Sequence, residues 1–275
     1  MSFFSLFAGM VFAAETVLSP LADSTPVLAT EPAKPEISFG QIVEITPTPV
    51  ITPIPSPTPK PIIQTRQKSY IIAFLGDSMI DTMGPGLPTV KNKLTNIYPA
   101  TNFTLLNYGV GGTNIDYGIE RITNGYNYLG NQIPSLASAH PDIVVLESFG
   151  YNPFPVADGI NRHWMALARA VDTLRASIPG VKIIIAATIA PNASVFGDGV
   201  LAWNPEQKAK KVSEINAYLE STIKFAASQH LPITDAYHAS GGSTQYINGG
   251  DHIHYSDAGR LLFAQKVVSA LQTVL

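Results

Sequence analysis

The 275-residue chain contains no cysteine, which excludes disulfides, thiolate metal sites, a cysteine nucleophile and a lipid-modified N-terminal cysteine. Zero cysteine suits an extracytoplasmic location without requiring one. Charge is also scarce: Asp, Glu, Lys and Arg make up 13% of the residues, and the formal net charge is -3. With no long Lys/Arg run to neutralise phosphates, nucleic acid is not an expected partner. The apolar N-terminal stretch FFSLFAGMVFAA (Phe3–Ala14) is about half the ~20 residues that span a bilayer. Small residues around Val11-Phe12-Ala13 match a signal-peptidase site, although the customary Lys or Arg before the apolar core is missing. Residues 1–14 therefore read as a signal peptide or an apolar N-terminal segment, and the chain as secreted or associated with the cell envelope.

What the chain does have is proline, concentrated in one region. TPTPVITPIPSPTPKP (Thr46–Pro61) puts a proline at nearly every second or third position. Proline lacks a backbone donor and locks φ, so neither helix nor sheet propagates through such a segment. Residues 15–68 are expected to form a Pro/Thr-rich linker of extended polyproline character, about 3.1 Å per residue. A spacer after an export signal suggests a domain held away from an envelope surface.

The remaining residues, 69–275, alternate two patterns. YIIAFL (70–75), FTLLNY (103–108), DIVVLES (142–148) and VKIIIAAT (181–188) are short apolar runs rich in β-branched residues, with a further short strand near LPITDAY (231–237). Apolarity without alternation marks strands buried on both faces. Helical periods fill 161–178, 205–229 and 256–275, the second opened by Pro205. Such alternation predicts right-handed crossovers and a parallel sheet covered on both sides. At 45% hydrophobic, the chain can bury one sizeable core.

In open parallel sheets, ligands gather at the carboxyl ends of the strands. Four polar clusters fall at predicted strand ends or before the last helix. Gly76-Asp77-Ser78 follows the first strand and Asn107-Tyr108-Gly109-Val110-Gly111-Gly112 the second. Gly150-Tyr151-Asn152 follows the third, and Asp251-His252-Ile253-His254 precedes the final helix. Alone, Gly-Asp-Ser is as good a turn as a nucleophile site. A serine, a glycine backbone, an amide and an Asp–His pair on one rim mean more.

In these four blocks, taken in order, residues 69–275 resemble the SGNH/GDSL hydrolase superfamily. The resemblance implies a three-layer α/β/α sandwich with a parallel sheet of about five strands, flavodoxin-like in type, and esterase chemistry without a metal or organic cofactor. It implies Ser78 as nucleophile, His254 as general base and Asp251 as the residue that orients His254. The backbone N–H groups of Ser78 and Gly112, with the Asn152 side chain, would form the oxyanion hole. One departure stands out: the usual Gly-x-Asn-Asp is Gly-Tyr-Asn-Pro here, and Pro153 restricts the conformation of Asn152.

The chemistry explains the residue types. A serine hydroxyl attacks only when a neighbouring imidazole takes its proton, and a carboxylate on the other ring nitrogen sets the tautomer. Glycine at 112 allows backbone to approach closely. Asp77 reads as a loop brace. His252 reads as a loop neighbour and His163, His230 and His238 as ordinary histidines, while Asp251, His252, His254 and His238 can also be read as metal ligands. Segments 113–140 and 189–204 bring Tyr117, Tyr126, Tyr128, Phe196 and Trp203 near the same rim, either to wall the site or to pack their own loops. The expected function is hydrolysis of short acyl esters, including O-acyl groups on carbohydrate. Acyl transfer by the same fold and a non-catalytic envelope-binding domain are the alternatives.

Overall fold

A computed structural model describes residues 68–154 and 157–275. The expected N-terminal segment 1–14 and, apart from Lys68, the linker lie outside the described residues. The first half of the domain runs β1 (Ser69–Gly76), α1 (Ser78–Asp81), α2 (Pro88–Ile97), β2 (Asn102–Gly109), α3 (Ile115–Thr123), β3 (Tyr126–Tyr128) and β4 (Asn131–Ile133). Then follow β5 (Ile143–Glu147), α4 (Gly159–Ser177), β6 (Lys182–Ala187), α5 (Pro205–Ser228), β7 (Ile233–Asp235), α6 (Tyr237–Ser240) and α7 (Asp257–Leu271).

The five expected strands pair in the order β2-β1-β5-β6-β7, every pair parallel. Their unbroken apolarity is explained by burial on both sides. Ile72, Phe74, Val145 and Ile184 point into one core with Leu94, Phe263 and Leu271. Ala73, Leu75, Val144, Leu146 and Ile185 point into the other with Leu167, Leu174 and Phe225. Each of these Val, Leu, Ile and Phe side chains contributes roughly 1.5–3 kcal/mol on burial. Helices α2 and α7 cover one face, α3 and α4 the other, and α5 supplies residues to both cores. This is the α/β/α sandwich that the sequence predicts.

The strand order reverses beside β1, where the connections to β2 and β5 leave in opposite directions. That switch point lies at the carboxyl ends of β1 and β5, where open α/β sheets bind their ligands. Ser78 follows the first of these strands and Asn152 the second.

One expectation is corrected. Segment 113–140 is not simply a long loop: it folds as α3, capped by the Asn114 side chain, followed by the antiparallel hairpin β3–β4. Leu129 and Gly130 at its tip both have positive φ, +49° and +79°, as a two-residue type I′ turn requires. Helix α2 carries no strong sequence signal, because its apolar face rests on Val90 and Leu94 alone, four residues apart.

Candidate active site

The turn after β1 is built around glycines. Gly76 and Gly109 face each other in register at the ends of β1 and β2. A Cβ on Gly76 would lie 2.3 Å from Ile80 Cγ1, and one on Gly109 would lie 2.2 Å from the Asp81 backbone nitrogen. Only glycine lets β1 fold directly into α1 with β2 pressed against it. Asp77 caps α1, its Oδ1 accepting from Met79 N at 2.8 Å, and Ser78 opens the helix.

Behind this turn lies a buried guanidinium. Arg121 of α3 is 1% exposed; it donates from Nη2 to Gly76 O (3.0 Å) and from Nη1 to Tyr108 O (3.1 Å). The rings of Tyr117, Tyr126 and Phe149 surround it at 5.1, 5.6 and 6.0 Å. One side chain thus ties the end of β1 to the end of β2, and with them the turns carrying Ser78 and Gly112.

Asp77 also reaches across the switch point. Its Oδ2 accepts from Asn152 Nδ2 at 2.8 Å, while Asn152 N donates to Phe149 O at 3.1 Å in the turn after β5. The amide beside Pro153 is therefore attached to the residue before Ser78. Asp77 is fully buried. Burial pushes its carboxyl up, opposed by the Met79 N–H, the Asn152 amide, His254 and Arg121. Beneath it, Glu147 accepts from Asp77 N (3.3 Å) and from Ser148 Oγ (2.5 Å). Complete burial, and then the charge of Asp77, hold Glu147 well above the usual carboxylate range. Both effects disfavour its ionised form.

The loop before α7 presents the histidine. Asp251 Oδ1 accepts the backbone N–H groups of Ile253 (2.9 Å) and His254 (3.0 Å), and Oδ2 lies 2.9 Å from His254 Nδ1. A carboxylate only accepts, so Nδ1 carries the proton and Nε2 is left with a lone pair. That nitrogen is buried and has no hydrogen-bond partner among the described residues. Partial burial works against the Asp251 carboxylate, but hydrogen bonds from the His254 ring and the two N–H groups hold it down at about 2. It is ionised throughout the neutral range.

The glycine turn after β2 completes the rim. A Cβ built on Gly111 would lie 3.7 Å from Ser78 Cβ, which places this turn beside the serine. Gly112 has φ +71° and no atom within 4 Å of the position a Cβ would take. Its glycine is thus required by a left-handed backbone rather than by crowding from the protein, which falls on Gly109 instead.

Other sequence candidates are placed elsewhere. His252 turns away from His254, its Nδ1 3.0 Å from Asp198 O, and joins the 189–204 loop to the histidine loop. His238 lies against Asp235 and Glu220. His163 is buried under β5 with Nε2 2.6 Å from Ser148 O. Phe196, 3% exposed, packs between Trp203 and Tyr151 at 5.9 and 6.4 Å, so it stabilises its own loop rather than facing substrate. Residues that sequence reasoning overlooked are Glu147, Asp81 and Arg121. Glu147 had a signal, being the one carboxylate in an otherwise apolar strand. Asp81 and Arg121 had none, since their partners are backbone atoms and a distant tyrosine.

Solved structures share this architecture. A lipase/acylhydrolase from Enterococcus faecalis is similar over 75% of this chain and 97% of its own, with a TM-score of 0.56 at 17% identity. A catalytic mutant of an acetylxylan esterase from Geobacillus stearothermophilus is similar over 74% and 94%, with a TM-score of 0.53 at 14% identity. A GDSL-like lipase from Bacteroides thetaiotaomicron is similar over 75% and 89%, also with a TM-score of 0.53 at 14% identity. These identities speak for the fold alone. Curated proteins provide no sequence match. The family model described as GDSL-like lipase/acylhydrolase matches residues 74–261, from inside β1 to the first turn of α7. On that match, which contains all four polar blocks, the chain belongs to the GDSL-like lipase/acylhydrolase family.

Proposed function

We propose that the chain is a secreted serine esterase that hydrolyses short acyl esters through an acyl-enzyme on Ser78. One observation carries the reading: an imidazole fixed by Asp251, with its other nitrogen buried and unpartnered, stands on the rim that also carries Ser78. In the first step the Ser78 hydroxyl oxygen attacks the ester carbonyl carbon and its proton passes to His254 Nε2. The imidazolium is stabilised by Asp251. Charge on the carbonyl oxygen is met by the N–H groups of Ser78 and Gly112 and by the Asn152 Nδ2 hydrogen not engaged with Asp77. Collapse breaks the C–O bond, and His254 returns the proton to the departing alcohol. Water, deprotonated by His254, then releases the acid and regenerates Ser78.

An O-acylated carbohydrate is the substrate class we favour. Its support is the similarity to an acetylxylan esterase, together with the apolar N-terminal segment and the proline-rich spacer, which suit a domain exported toward a glycan-bearing surface. Hydrolysis of p-nitrophenyl acetate and of an acetylated xylo-oligosaccharide tests both levels. Turnover abolished by Ser78→Ala, with covalent labelling of Ser78 by a fluorophosphonate, supports the reaction. Equal rates for wild type and Ser78→Ala would sink it.

A further inference from the structure

The β3–β4 hairpin reaches the glycine turn through the side chain of Tyr128. Tyr128 Oη accepts from Gly111 N at 3.2 Å and donates to Asp81 Oδ2 at 2.6 Å. Asp81 ends the short helix that Ser78 begins. The phenol therefore joins three elements: the hairpin, the nucleophile helix and the glycine turn. A point marked by the Cβ that Gly111 lacks is 3.6 Å from Tyr128 Oη, 3.6 Å from Asp81 Oδ2 and 3.7 Å from Ser78 Cβ. All three groups thus crowd around the same small volume.

We infer that Tyr128, held by Asp81, is a positioning residue that aims the Gly112 N–H at the developing oxyanion. This rests on the serine-esterase reading above. Gly111 and Gly112 have the widest choice of φ and ψ, so their conformation depends on what holds the turn. The turn is tied down at three places: Val110 N donates to Gly76 O (3.1 Å), Thr113 Oγ1 to Val110 O (2.8 Å), and Gly111 N to Tyr128. The first two brace its ends. Only the third engages the glycine pair itself. By occupying the Gly111 N–H, Tyr128 also leaves that of Gly112 as the turn's donor to a substrate.

Burial first, and then the hydrogen bond to Asp81, push the Tyr128 phenol up to about 12, so it remains a donor in any working buffer. From the sequence Tyr128 is expected near the rim, but this pairing is not readable there, because its partners lie 17 and 47 residues away.

The test uses the full chain with Tyr128→Phe, which removes one hydroxyl, and Asp81→Ala and Asp81→Asn as independent variants. An oxyanion donor is worth about 10²–10³ in kcat when deleted, so misdirecting one should cost roughly tenfold. We expect Tyr128→Phe and Asp81→Ala to lower kcat on p-nitrophenyl acetate about tenfold at unchanged KM. Inhibition by a boronic acid, which mimics the tetrahedral oxyanion, should weaken by a similar factor. Asp81→Asn, which keeps an acceptor oxygen, should restore most of kcat. Ser78-dependent turnover in the wild type with Tyr128→Phe unchanged, or with kcat and boronate affinity uncoupled, overturns this inference alone. A wild type without Ser78-dependent turnover overturns the esterase reading and this inference with it.

Discussion

Asn152 Nδ2 lies 2.8 Å from Asp77 Oδ2, so the amide proposed for the oxyanion hole is held by the residue next to the proposed nucleophile. The two belong to turns after different strands, 75 residues apart in sequence. Pro153 limits the backbone of Asn152, but the direction of its amide is set by a carboxylate on the neighbouring strand end.

Asp77→Asn should therefore lower kcat more than it lowers stability. Asp77 uses both oxygens as acceptors and asparagine has only one, so with that oxygen kept on Met79 N the bond from Asn152, worth about 1.5–3 kcal/mol to a charged group, is lost and its amide released. A fall in kcat of roughly tenfold or more is expected. Stability should change little, because the substitution also removes a fully buried carboxylate that burial disfavours. Steady-state kinetics beside urea unfolding separates the two. A tenfold loss of kcat with an equally large loss of stability would argue against the specific role.

Two groups should each contribute an acid-sensitive limb to the stability of the domain, beside the opposite contribution of the raised carboxyls of Asp77 and Glu147. Burial, against the raising effect of the Ser148 carbonyl, pushes the His163 imidazole down to about 4 from 6.5. Between those pH values the unfolded chain binds the extra proton, so stability falls as pH drops from 6.5 to 4, by about 3 kcal/mol. Asp251 is depressed from 3.8 to about 2, so its contribution is present above 3.8 and lost as pH falls toward 2, a further ~2 kcal/mol. Urea midpoints measured from pH 7 to 2 should show both limbs, with His163→Phe flattening the first and Asp251→Asn the second. A first limb identical in His163→Phe would reject the assignment.

Arg121→Met should be destabilising, by roughly 1–3 kcal/mol, since Tyr108 O loses its guanidinium donor and Gly76 O keeps only the Val110 N–H of its two. Arg121→Lys should recover only part of this, because a single ammonium does not reproduce the two-pronged grip on Gly76 and Tyr108. Thermal unfolding of the two variants provides the ranking. Equal stability of Arg121→Lys and wild type would contradict it.

Gly109→Ala and Gly112→Ala should differ in kind. The first forces a methyl to 2.2 Å from the Asp81 backbone and should prevent normal folding. The second meets no atoms, but its φ of +71° disfavours any Cβ, at a cost of about 1–2 kcal/mol. A soluble, slightly destabilised protein with reduced kcat is expected. Circular dichroism and activity of the two side by side would show whether the order is reversed.

The layers of the fold were legible because they depend on local composition. Short β-branched runs buried on both faces could only be strands of a covered parallel sheet, and all five formed. The four blocks were legible because a doubly wound sheet sends the carboxyl ends of its strands to one rim, so Ser78, Gly112, Asn152 and His254 had a shared address before any contact was known. The contacts that orient them were not legible. Helix α2 and the hairpin had weak periodicity, and Arg121, Glu147, Asp81 and Tyr128 act on atoms 13 to 70 residues away or on backbone groups that no pattern marks. By itself, then, the sequence determined which side chains reach the rim. Only the tertiary structure decided how they are held there: Asp77 on Asn152, Asp251 on His254, Arg121 and Tyr128 on the two turns. The physical reason is that periodicity reports burial, which is a property of each residue, whereas a hydrogen bond is a property of a pair brought together by packing.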